Sequence, residues 1–135
     1  MCEILFRGKR LDNGELVFGD FRLIFHGEYR THIVDNSNGL NNGVCGLEVD
    51  PSTVGQFTGL TDRNGVKIFE GDVIEYTDGC NDWLGAVKYA CDDAQFVVRF
   101  IGGDVESFDN LYSGDCEVIG NIYDNPELLE VSGNE

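Results

Sequence analysis

The sequence predicts a small all-β protein, and three observations carry that prediction. Eighteen Gly stand against two Pro in 135 residues, the mark of many tight turns. Runs rich in β-branched and aromatic residues are short, and turn signals such as Asn13-Gly14, Asn64-Gly65 and Gly102-Gly103 separate them. Several runs alternate apolar and polar residues, the period of a half-buried strand.

The elements follow in order. Glu3 to Gly8 reads as a strand, and Leu11-Asp12-Asn13-Gly14-Glu15 as a tight turn with Asn-Gly as a two-residue hairpin loop. Leu16 to Phe25 is a long β-rich run in which Gly19 marks a bulge or bend. Glu28 to Asp35 is its antiparallel partner, turned at His26-Gly27. Asn36 to Gly43 holds four Asn and two Gly and is a loop. Val44 to Val49 returns as a strand before the Asp50-Pro51 junction.

The second part is denser. Asp72 to Thr77 alternates, with Val73 and Glu75 on one face and Ile74 and Tyr76 on the other. Trp83 to Ala90 is a strand bent at Gly85, and Gln95 to Ile101 offers Phe96, Val98 and Phe100 as an apolar face. Val105 to Phe108 and Asp115 to Tyr123 complete the set. Asn125-Pro126-Glu127-Leu128-Leu129 has a cap, a first-position proline and an early acid, so it forms one helical turn, and Ser132 to Glu135 frays. Short strands at this spacing predict a small, strongly bent barrel over residues 54–123. The chain thus divides into an N-terminal β segment (1–52), a barrel (53–125) and a C-terminal turn and tail (126–135). Asp12 to Phe21 echoes Asp62 to Val73, which shared hairpin geometry explains.

Charge bounds the partners. The net charge is −16, and residues 51–135 hold seventeen acids against four bases, while residues 1–50 hold eight against five. Such a surface repels phosphate backbones, so direct nucleic-acid binding is not expected. Solubility is the ordinary use of that charge, and a basic protein partner or mimicry of nucleic acid is the sharper one. No apolar run approaches the roughly 18 residues that span a bilayer, and the N-terminus lacks the charge order of a signal peptide. A soluble, cytoplasmic protein is expected. Cys2, Cys45, Cys80, Cys91 and Cys116 are odd in number and widely spaced, which fits neither a disulfide framework nor a zinc site.

Ordered blocks along the chain then suggest a family. Val54-Gly55-Gln56-Phe57-Thr58-Gly59-Leu60-Thr61-Asp62, with Asn64-Gly65 and Ile68-Phe69-Glu70-Gly71-Asp72-Val73-Ile74, resembles the signature of the YopX family of bacteriophage and prophage proteins. Ile4 to Arg10 and Leu16 to Asp20 resemble its opening blocks, although Trp often stands where this chain has Leu16. Val118 to Leu129 resembles its closing block. The resemblance implies an SH3-like β-barrel in the second part and self-association. It brings no activity, cofactor or catalytic residue.

Catalysis and metal binding each require a particular set of side chains. Nucleophilic catalysis needs a base beside Ser or Cys, and His26 and His32 are the two histidines. Six residues apart on a straight strand they stand about 20 Å apart. A turn at Gly27 would bring them closer, with Cys45 in reach, but exposed strand histidines are the simpler reading. Asp78, Asp82, Asp92 and Asp93 sit in turns without the spacing of a calcium loop. Gly55, Gly59 and Gly65 lack the helix and Lys of a phosphate cradle. No enzyme activity, metal or cofactor is expected.

Trp83 and Phe57 are the candidates for protein contact, because SH3-like barrels take peptides into aromatic grooves. Their plainer reading is core. The expected function is therefore a phage or prophage accessory protein, a non-enzymatic interaction module that self-associates or binds a host or phage protein. The alternative is an acidic nucleic-acid mimic that inhibits a basic host protein.

Overall fold

The computed structural model describes residues 3–25, 27–34, 47–77, 79–108 and 113–129. His26, Cys45, Asp78, the Asn-rich segment 36–43 and the tail from Ser132 lie outside them. The chain is all-β, built of antiparallel strands and three short 3-10 turns, and it separates into two compact units at Phe57/Thr58.

The first unit holds β1 (Phe6–Lys9), β2 (Leu16–Phe25), β3 (Tyr29–Val34), β4 (Leu47–Glu48) and the start of β5 (Gly55–Thr61), hydrogen-bonded in the order β4-β3-β2-β1-β5. β2 serves two partners in succession. Leu16 to Gly19 pair with β1, and Asp20 to Phe25 pair with β3. Gly19, expected to mark a bend, stands at the changeover. The Asn13-Gly14 turn is longer than the two residues expected. Arg10 N–H donates to Glu15 O at 2.9 Å, which leaves Leu11 to Gly14 as a four-residue loop with Gly14 at φ +75°. The strand expected over 44–49 is described at Leu47–Glu48, with an Arg10↔Val49 bridge beyond it. Ile33, Val34, Val49 and Phe57 are buried here, and Gly8 lies flat against Val49.

The second unit contains the rest of β5, then β6 (Lys67–Phe69), β7 (Asp72–Thr77), β8 (Asp82–Ala90), β9 (Gln95–Phe100), β10 (Val105–Ser107) and β11 (Cys116–Asn121). β5 and β6 form a hairpin whose turn is a three-residue loop. Asp62 N–H donates to Val66 O at 2.8 Å, Gly65 N–H to Asp62 O at 3.0 Å, and Gly65 takes φ +82°. The remaining strands order as β10-β9-β8-β7-β11.

One face of this sheet is the core face. Ile74, Val87, Val98, Phe100 and Cys116 pack there with Ile68 of β6. Fully burying each such side chain contributes roughly 1.5–3 kcal/mol, so this cluster dominates the unit's stability. The alternation expected for β7 and β9 is present in the register, which places Ile74 opposite Gly85 and Val118, and Phe100 opposite Gly85. β8 runs unbroken from Asp82 to Ala90 through Gly85, which the register sets directly across from Phe100. The Pro126–Leu129 turn forms as expected, but Asn125 Oδ1 accepts from Asn121 N–H at 3.3 Å.

These pairings establish two antiparallel sheets, and they do not close the second into a barrel. Its strand order ends at β10 and β11. At the β11 edge the β5–β6 turn takes the place of a strand. Arg63 N–H donates to Cys116 O at 3.0 Å, and Val118 N–H donates to Asp62 Oδ2 at 2.9 Å.

Candidate functional site

Asp62 ties the β5–β6 turn to β11 through its side chain. It is buried, and its two oxygens accept from the amides of Asn64 (2.8 Å), Val66 (2.9 Å) and Val118 (2.9 Å). Two of these are local Asx-turn bonds, and the third joins residues fifty-six apart. Burial alone would raise the carboxyl pKa. The three amides and the neighbouring Arg63 charge outweigh it and hold the group below its usual value of 3.8. Beside it, Arg63 Nη2 pairs with Glu117 Oε1 at 2.6 Å on the surface. A carboxylate engaged with three backbone amides acts as a structural tie. Asp72 behaves alike: it is buried and accepts from Phe69 N–H at 2.7 Å.

The candidate catalytic and metal sets include His26, Cys45 and Asp78, which lie outside the described residues. His32 is buried in β3, with Nδ1 3.0 Å from Arg30 O, so the expectation of an exposed strand histidine is wrong for this residue. Its strand pairs with β2 on one side and β4 on the other, with His32 opposite Arg22 and Glu48. Asp82 begins β8 while Asp92 and Asp93 follow its far end, so a nine-residue strand of roughly 30 Å separates them. Among the described residues, no three His, Cys, Asp or Glu side chains gather closely enough to hold a metal ion.

Cys116 is fully enclosed in the core, and burial first, then the Asp115 and Asp62 charges, push its thiol up to about 11 against the opposing Arg63 charge. A shift from 9.0 to about 11 cuts the thiolate fraction near pH 8 about a hundredfold. Cys80 and Cys91 are exposed. Iodoacetamide should therefore label Cys80 and Cys91 in the native protein at least a hundredfold faster than Cys116, as read by peptide mapping. Comparable rates would show that the core opens around β11.

What the fold leaves available is aromatic surface. In the second unit, Trp83 is 38% exposed and lies over Tyr76, with ring centroids 5.8 Å apart and planes at 28°. Tyr76 in turn approaches Phe100 at 6.4 Å, so the core face of the sheet ends in an exposed aromatic stack. Phe57 differs. It is buried in the first unit, with its amide donating to Leu5 O at 2.8 Å, and it presents nothing to a partner.

Sequence reasoning missed the larger surface, the β2–β3 hairpin of the first unit. Phe21, Leu23 and Phe25 alternate along β2 on one face and are 41%, 57% and 61% exposed. Tyr29, opposite Phe25, is 70% exposed, and their rings meet edge to face at 5.2 Å. The alternation was visible in Phe21-Arg22-Leu23-Ile24-Phe25. It reads equally as a buried face, and nothing local in the sequence tells the two apart.

Together these features define a small, two-unit all-β protein whose exposed aromatics, not its buried polar groups, are offered to the surroundings. The chain belongs to the YopX family: the model of that family, described as YopX protein, matches residues 5–130. Among solved structures it is similar to the crystal structure of protein EF1440 from Enterococcus faecalis, at 26% identity and a TM-score of 0.55, covering 96% of this chain and 100% of that one. No curated protein matches it. No helix among the described residues is long and apolar enough to cross a membrane.

Proposed function

We propose that the chain is a non-enzymatic interaction module, a phage or prophage accessory protein of the bacterial cytoplasm, that self-associates through the β2–β3 hairpin. The exposed row of Phe21, Leu23, Phe25 and Tyr29 carries this reading. With about 200 Å² per aromatic side chain, the row offers roughly 400 Å² of apolar surface. That is the size of the largest apolar patch on a monomer, roughly 300–600 Å², and such patches are often functional. The row would supply about half of the 800 Å² that each partner contributes to a standard interface.

A second copy suits this surface on charge. The chain as a whole carries −16, so two copies repel wherever their acidic parts meet, but residues 16–34 hold two acids, Asp20 and Glu28, and two bases, Arg22 and Arg30. The hairpin is the neutral place at which like chains can touch. The SH3-like closure expected of residues 54–123 belongs to the same proposal; the β7–β8–β9 meander with β11 returned beside β7 supports it. The acid excess of residues 51–135 favours the second reading, mimicry of nucleic acid.

Light scattering across a concentration series tests self-association. The wild type should exceed the 14.9 kDa chain mass, and a Leu23→Lys/Phe25→Glu double variant should fall to that mass with its melting temperature kept within about 3 °C. A wild type at chain mass in the high micromolar range would overturn the proposal, as would a variant of unchanged mass.

A further inference from the structure

The second unit has a cleft of about 210 Å³ lined by Thr58, Leu60, Gln95, Phe96 and Phe108. Small-molecule and cofactor sites run to roughly 300–1,000 Å³, so this one suits a single side chain. Its wall is aromatic. Phe96 and Phe108 line it, and Tyr89, 42% exposed, extends the wall by meeting the Phe96 ring edge to face at 5.1 Å.

An acidic turn stands close by in the chain. The β8–β9 hairpin closes with Ala90 opposite Gln95, so the turn between them carries exposed Asp92 and Asp93, two and three residues before Gln95 of the cleft lining. Residues 89–96 contain no Lys or Arg to neutralise these two carboxylates, and the surrounding stretch 51–135 is itself strongly acidic. An apolar side chain entering the cleft offers these carboxylates no partner. A planar guanidinium stacks on an aromatic face and forks onto carboxylates, which an ammonium does less well.

We infer that this cleft seats one arginine side chain of a protein partner, with the guanidinium between the Tyr89–Phe96 aromatic wall and the Asp92–Asp93 turn. The site lies in the second unit and stands independently of the hairpin. It gives the acid excess a directed use, drawing a basic segment to an aromatic seat, as charge does when it steers encounter more than it sets affinity.

The test is an NMR titration of the ¹⁵N-labelled full chain with an end-blocked Gly-Leu-Arg-Leu-Gly peptide and with its neutral citrulline counterpart. The arginine peptide should shift the amide signals of Leu60, Gln95 and Phe96 and bind at least fivefold more tightly than the citrulline peptide. Tyr89→Ala should weaken arginine-peptide binding at least fivefold. The exposed pair Asp92→Asn/Asp93→Asn, which leaves the core untouched, should abolish the preference for arginine. Equal binding of the two peptides, shifts confined elsewhere, no saturable shift, or a preference that survives in the Asp92→Asn/Asp93→Asn variant would each overturn the assignment.

Discussion

Replacing Gly85 by alanine should destabilise the protein by about 3 kcal/mol and lower its melting temperature by roughly 10 °C. A Cβ at this position would stand 2.7 Å from Val98 Cγ1, 2.9 Å from Arg99 O and 2.9 Å from Phe100 Cδ1. Two of these atoms belong to the buried core, and the third is backbone of the neighbouring strand, so none can swing aside into solvent. Gly85 lies directly across from Phe100, and the ring occupies the space that a side chain would fill. Alanine also removes backbone freedom from the unfolded chain, which stabilises by somewhat under 1 kcal/mol and offsets only part of the clash. Thermal melts followed by circular dichroism measure the difference. Val98→Ala should cost less in the Gly85→Ala background than in the wild type, because it removes one of the three clashes while the Arg99 carbonyl and the Phe100 ring remain. A melting temperature within about 2 °C of wild type would show that the strands separate easily here.

Asp62→Ala should cost about 3 kcal/mol, since it strips the acceptor from three amides at once. A hydrogen bond to a charged group contributes roughly 1.5–3 kcal/mol, and a buried donor left unpaired costs about 1–3 kcal/mol, while water reaching the turn amides recovers some of the loss. Asp62→Asn separates the terms: one oxygen remains for Asn64 and Val66, but an amide nitrogen can face Val118 N–H, donor against donor.

The pH dependence has a definite sign. The folded-state pKa of Asp62 is lowered from 3.8, so the folded state holds its carboxylate more tightly than the unfolded chain does. This stability is fully present above the unfolded value near 4 and is lost as pH falls through the folded value. Urea unfolding of wild type and Asp62→Asn should therefore differ most above pH 5 and converge as the pH drops below the folded value. Curves that stay parallel down to pH 2 would remove Asp62 as the cause.

Much of the fold could be read from the residues because strand period and turn chemistry are local. Ile74 and Tyr76 share a face as their spacing requires, and Phe96, Val98 and Phe100 do likewise. The failures have one physical origin, long-range contact. Gly85 reads locally as a bend, and only the register sets Phe100 across from it. Asn13-Gly14 suggests a two-residue loop, but the Arg10–Glu15 pair that sets the loop length depends on how β1 and β2 align. Asp62 is legible as an Asx-turn residue, and its bond to Val118 is not, since nothing near either residue announces the other. Exposure is harder still. Trp83 and Phe57 have similar local surroundings in sequence, and one lies on the surface while the other is buried.

The tie between Asp62 and β11 has a consequence for colloidal behaviour. A strand edge with unpaired amides is a template for another chain, and here a carboxylate and the Arg63 amide stand over part of it. The sequence pI is near 4.2, so the repulsion that keeps copies apart vanishes in mildly acidic solution. Just below that pH the carboxylate still holds its charge, because its pKa is kept under the usual 3.8, and it loosens its hold on the edge only in stronger acid. The chain thus loses its electrostatic guard before its edge cover, and acid-induced aggregation that begins from β11 should set in only below the pI.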